Sequence, residues 1–105
     1  MSTRRIQPDR KVVFEDVLPV DASLTEVRSY RIRVAFSTLL DAAARAVQSA
    51  GFDLDDVIVE RLLVDSEGEV YSFESIGNAT SSSARRLQES VRIVELRVIA
   101  VRDFF

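Results

Sequence analysis

The sequence has no cysteine, no histidine and no tryptophan. Without cysteine there is no disulfide, no thiolate nucleophile and no zinc–thiolate site. Without histidine the commonest general base and the commonest transition-metal ligand are both missing. Only three glycines and two prolines are present, and none of them builds a phosphate-cradling loop. No apolar run approaches the roughly 18 residues of a membrane helix. The arginines near the N-terminus have no apolar segment behind them, so they do not form a secretory signal. These absences favour a cytoplasmic protein that is not an enzyme, needs no cofactor and binds no metal. Arginine supplies all but one of the fourteen basic residues, Lys11 being the lone lysine. That usage suggests a GC-rich bacterial or phage genome.

What is present is a single domain's worth of core. The chain has 105 residues, 47% of them hydrophobic, with a net charge of −3. That is ample for one folded domain and too apolar for a disordered chain. The charge is uneven. Residues 1–11 are basic, 12–77 are strongly acidic and the remainder is mildly basic. An acidic middle is a poor partner for phosphate backbones, which argues against nucleic acid. Residues 1–10 read as a flexible leader, and 11–105 as one α+β domain.

Within that domain, Val12 to Val20 is apolar and β-branched and is bent by Pro19, so 11–18 reads as an edge strand or arm. Tyr30, Ile32, Val34 and Phe36 alternate with Arg31, Arg33 and Ala35, the period-two pattern of a half-buried strand. Ser37 or Thr38 then caps a helix with Leu40, Ala43, Val47 and Ala50 on one stripe, ending at Gly51. Val57–Val64 and Glu69–Ile76 read as a hairpin turned by Asp65-Ser66-Glu67-Gly68. A second helix is expected from about Thr80 to Val91, and a last strand over Ile93–Val101. Two interleaved strand–helix–strand units give a ferredoxin-like βαββαβ sandwich with an extra N-terminal strand or arm. In that order Tyr30–Phe36 lies between the last strand and the third, with Arg31 and Arg33 beside Glu95 and Arg97.

The stretch Ser49-Ala50-Gly51-Phe52-Asp53-Leu54-Asp55-Asp56-Val57-Ile58-Val59-Glu60-Arg61 resembles an ACT-type regulatory domain. That family also has a helix ending in Ala-Gly, an apolar residue, a short polar step and a strand. With the hairpin, second helix and closing strand, the resemblance spans residues 28–102. It implies an oligomeric, ACT-like module that regulates by binding a small anionic ligand or a protein partner. Family members that bind amino acids carry an acidic residue, a proline and a glycine after the first strand. Here that place reads Ala35-Phe36-Ser37-Thr38-Leu39, so an amino-acid site does not carry over. Any ligand would sit near Phe36, Ser37 and Thr38, gripped by Arg31 or Arg33. In the plainer and favoured reading the same arginines are cross-strand partners of acids such as Glu95.

Three further features have both a functional and a plain reading. Ser81, Ser82 and Ser83 with Arg85 and Arg86 could bind an anion at a helix start, or the serines could simply cap the backbone. The acidic groups Asp53, Asp55, Asp56 and Asp65, Glu67, Glu69 lack the spacing of a calcium loop and read as solvated connectors. Phe104 and Phe105 either fold back on the core or insert into a neighbour, and with Val12, Phe14 and Val17 they are the candidate interface of a homo-oligomer, most simply a dimer built through the sheet. The alternative is a structural or assembly subunit of a phage or bacterial multiprotein complex.

Overall fold

The computed structural model describes residues 9–76 and 90–104. Its elements are β1 (Asp9–Ser23), α1 (Tyr30–Ser49), β2 (Ile58–Asp65), β3 (Val70–Ser72), α2 (Phe73–Ile76) and β4 (Arg92–Phe104). Short 3-10 turns cover Leu24–Glu26 and Leu54–Asp56.

The largest correction concerns Tyr30–Phe36, which is helix and not strand. The buried residues of α1 are Ile32, Phe36, Leu39, Ala43 and Val47. Those steps of three and four residues make one apolar stripe. Ile32 and Phe36 lie four apart, so they satisfy a period of two and a helical period alike. Tyr30 and Val34, which only the strand reading needs inside, are 75% and 42% exposed. The cap is Ser29, whose side chain accepts the Ile32 N–H. Ser37 and Thr38 are not caps. Both are exposed within the helix, and Thr38 donates back to the Val34 carbonyl at 3.2 Å. The helix ends where glycine was expected to end it. Gly51 has φ +87°. Its N–H reaches the Gln48 carbonyl and the Phe52 N–H reaches Val47, the paired bonds of a Schellman cap.

The sheet has four strands in the order β1-β4-β2-β3, and every neighbouring pair is antiparallel. β1 and β2 both oppose β4, so they run parallel to each other with β4 between them, joined by α1. β3 and β4 stand in the same relation around β2. Two crossover units therefore interleave, but the first starts at β1, not at Tyr30, and the central neighbour of β2 is β4. The N-terminal strand lies at the edge, as its proline suggests, and it is longer than expected. The final strand holds across Ile93–Val101.

The expected third strand over Glu69–Ile76 is cut short at Ser72. There the chain turns into α2 and Phe73 becomes buried, with its ring centroid 5.0 Å from that of Phe36. The helix expected over 80–91 falls largely outside the described residues.

The core lies between α1, α2 and one sheet face. Leu63, Leu96, Val98, Ala100 and Ile93 meet Ile32, Phe36, Leu39, Ala43 and Phe73 there. Phe36→Ala should cost about 3–5 kcal/mol in urea unfolding, the range for a buried phenylalanine. Tyr30→Ser and Val34→Ser should each change stability by less than about 0.5 kcal/mol. A loss at Val34 comparable with that at Phe36 would mean that the 30–36 segment is not this helix.

Candidate interaction surface

Cross-strand register sorts the side chains into two faces, because directly opposed residues point the same way. On the helix side the rows are Phe14–Ala100–Val59, Asp16–Val98–Arg61 and Leu18–Leu96–Leu63–Tyr71. The opposite face carries Val12–Val101–Ile58, Glu15–Ile99–Glu60, Val17–Arg97–Leu62–Ser72 and Pro19–Glu95–Val64–Val70. Both described helices lie on the first face. On the second, Val12, Val17, Ile58 and Val70 are each 42–54% exposed, while Val101 between Val12 and Ile58 is buried.

An ionic cluster sits in the middle of that open face. Arg97 donates to Glu95 Oε2 through Nε at 3.1 Å and through Nη2 at 2.8 Å. Its Nη1 lies 3.9 Å from Glu15 Oε2. Residues i and i+2 of one strand share a face, so Arg97 and Glu95 are neighbours by construction. The expected pairing of Glu95 with Arg31 or Arg33 is therefore replaced by an in-strand pair.

The residues proposed to hold a small anion do not converge. Arg31 donates to the Asp21 carbonyl at 3.2 Å, beside the Arg92–Asp21 ion pair. Arg33 and Ser37 are exposed on α1, Phe36 is in the core and Thr38 bonds within its own helix. The loop expected at Phe36–Thr38 is helix interior. Ser81, Ser82, Ser83, Arg85, Arg86 and Phe105 lie outside the described residues, and Phe104 closes β4 opposite Asp9. Of the other interface residues, Val12 and Val17 are exposed, but Phe14 packs against the core. Among the described residues no cluster of acids could hold a metal ion, and no helix is long and apolar enough to cross a membrane.

Two arrangements escaped the sequence reading. The Phe73 ring is flanked by the guanidiniums of Arg28 at 4.9 Å and Arg61 at 4.6 Å. Arg28 also donates to the Phe73 carbonyl, and Arg61 pairs with Glu74. Nothing in the spacing of residues 28, 61 and 73 announces this. The second is Asp65, expected as a solvated connector and found buried. One carboxylate oxygen accepts the N–H groups of Glu67 and Glu69, at 2.8 and 2.9 Å. The other accepts the Tyr71 hydroxyl at 2.8 Å. An aspartate at the start of a turn that ends in glycine is a recognisable signal for the first of these bonds. Gly68, with φ +86°, closes the turn.

No protein-family model matches the chain, and neither a curated protein nor a solved structure matches it.

The Asp65–Tyr71 bond ties hairpin stability to pH at both ends. Burial pushes Asp65 up, but the Tyr71 hydroxyl and the backbone N–H groups outweigh it, so its pKa is lowered. Burial and the Asp65 carboxylate raise Tyr71 to about 12. A lowered carboxyl stabilises the fold above its unfolded pKa and loses that contribution as pH falls through the folded value. A raised phenol stabilises below its unfolded pKa, near 10, and loses that contribution as pH rises towards about 12. Thermal unfolding should therefore show a loss of stability below about pH 4 and another above about pH 10. Tyr71→Phe should flatten the alkaline limb. An unchanged alkaline limb in that variant would mean that Tyr71 does not carry it.

Proposed function

We propose that this chain is a non-catalytic, cytoplasmic, oligomeric module of the ferredoxin-like, ACT-like kind that works by protein contact through its sheet. The observation that carries the reading is the long edge strand β1, which has a strand partner on one side only among the described residues. It lies beside an open face that is apolar at its margins and charged at its centre. The helix ending at Gly51 and the β2–β3 hairpin support the ACT-type likeness. The ferredoxin-like likeness rests on the two interleaved crossover units.

Between the two versions of this reading, assembly has the stronger support. A sensor of small anions needs cationic groups that converge, and Arg31 and Arg33 do not converge with Ser37 and Thr38 around an opening. An assembly subunit needs only surface, and the sheet offers both a face and an edge. The sequence also contains neither histidine nor cysteine for acid–base or nucleophilic work.

A thermal-shift library of amino acids, nucleotides and small carboxylates should leave the melting temperature unchanged. Raising the protein's own concentration should increase it, because association stabilises the folded state by mass action. A small carboxylate or nucleotide that raises the melting temperature, with the effect lost in Arg31→Ala or Arg33→Ala, would replace this reading with the ligand sensor.

A further inference from the structure

β1 runs for fifteen residues along the edge of the sheet, and β4 is its only strand partner among the described residues. A long unpaired edge is a template for another strand. Three features of this edge point to what pairs with it.

The first is the register shift between Val12 and Phe14 in the pairing with β4. In a regular strand, residues 11 and 16 point to opposite faces. The extra residue at Val13 reverses the alternation. Lys11 is opposite Arg102, whose guanidinium lies 4.5 Å from the centre of the Phe52 ring beside the end of α1. Asp16 is opposite the buried core residue Val98. Lys11 and Asp16 therefore share the helix side of the sheet. Both are exposed, and neither has a charged partner among the described residues.

The second feature is Pro19, which has no N–H to offer a neighbouring strand. It confines an outer ladder to the N-terminal part of β1.

The third is the charge of the open face. In the middle of that face Glu15, Glu60 and Glu95 outnumber Arg97. Two copies stacked face to face would set like charges against each other, whereas edge pairing leaves this face in water.

We propose that two copies of the chain pair antiparallel along the outer edges of β1, about a two-fold axis between Val13 and Phe14. Lys11 of each copy then faces Asp16 of the other, and the two four-stranded sheets become one continuous sheet. The proposal rests on the oligomeric reading above and specifies its partner and register. Opposed residues sum to 27 in this register, so face and charge both match. A slip of two residues in either direction removes both Lys11–Asp16 pairs. The slip towards the C-terminus also draws Pro19 into the ladder. The bulge, which ordinarily twists an edge away from neighbours, lies beside the axis, where the same distortion is repeated symmetrically by the second copy.

Sedimentation equilibrium on the full chain tests this with Lys11→Asp, Asp16→Lys and the double swap, all at exposed positions. Each single reversal turns two attractive pairs into two repulsive ones and should weaken the dimer about tenfold. The double swap should restore it to within about threefold. In the wild type, zero-length carbodiimide coupling should join the lone lysine, Lys11, to Asp16 in the dimer band only. Within one chain these residues are roughly 15 Å apart along the strand. A wild-type dimer indifferent to both single reversals overturns the edge pairing and leaves the oligomeric reading standing. Weakening without rescue by the swap overturns the register. A wild-type chain that stays monomeric at hundreds of micromolar removes the oligomeric reading itself.

Discussion

One packing constraint organises the molecule: α1 has to cover the apolar side of β1 and β4. β4 presents Leu96, Val98 and Ala100 on one face, all fully buried. The cover is the stripe Ile32–Phe36–Leu39–Ala43–Val47, with alanine at Ala43. Burying an aliphatic or phenyl side chain is worth about 1.5–3 kcal/mol, and no other described segment presents so many of them in register. Phe36 reaches past the stripe to Phe73, and that contact places α2 over β2 and β3. Arg28 and Arg61 then lie against the Phe73 ring with their guanidiniums at the surface, the usual behaviour of long charged side chains over apolar ground. The ends of the helix are fixed locally, by Ser29 at one end and Gly51 at the other.

The parts of the fold that were legible in the sequence are those with a single reading. Gly51 can end a helix in the left-handed conformation with no steric penalty, and it does. The Asp65–Gly68 turn and the strands on either side of it follow from turn chemistry. The alternation of Val94, Leu96, Val98 and Ala100 against Glu95 and Arg97 marks a strand, and it holds from Leu96 onward. At Val94 the register with β2 shifts, so Ile93 is buried in its place and Val94 is 39% exposed. The 30–36 segment has the same appearance, yet only Ile32 and Phe36 are inside, and four residues is close to one helical turn. What breaks the tie is Leu39 and Ala43 downstream, which continue the helical stripe and not the alternating one. Tertiary burial, not local propensity, decided between them.

The surface was less legible than the fold, for a related reason. Once 30–36 is helix, Arg31 and Arg33 leave the sheet, and the partner expected for Glu95 goes with them. The pair that forms instead, Arg97 with Glu95, depends only on the strand period and could have been read directly from their spacing. Asp65 could be recognised as a turn-forming aspartate, but its bond to Tyr71 depends on the depth at which the hairpin sits. The Arg28–Phe73–Arg61 stack joins three elements far apart in sequence, and only the packed structure brings them together.

The charges on the open face constrain how such a sheet associates. Covering the face with an apolar partner would take Arg97, Glu95, Glu15 and Glu60 out of water. Arg97 and Glu95 retain each other, but in these central rows three acids face one arginine, so uncompensated carboxylate would be buried. Desolvating a carboxylate without a partner costs several kcal/mol, more than the exposed margins at Val12, Val17 and Ile58 return at about 25 cal/mol per Å². A partner for this face would have to bring cations of its own. The edge of β1 imposes no such condition. A strand added there satisfies backbone groups that have no strand partner among the described residues, leaves the carboxylates hydrated, and requires only that the charges along the two edges match. In a sheet with helices on one side and acids on the other, the direction of least desolvation is along the hydrogen bonds, in the plane of the sheet.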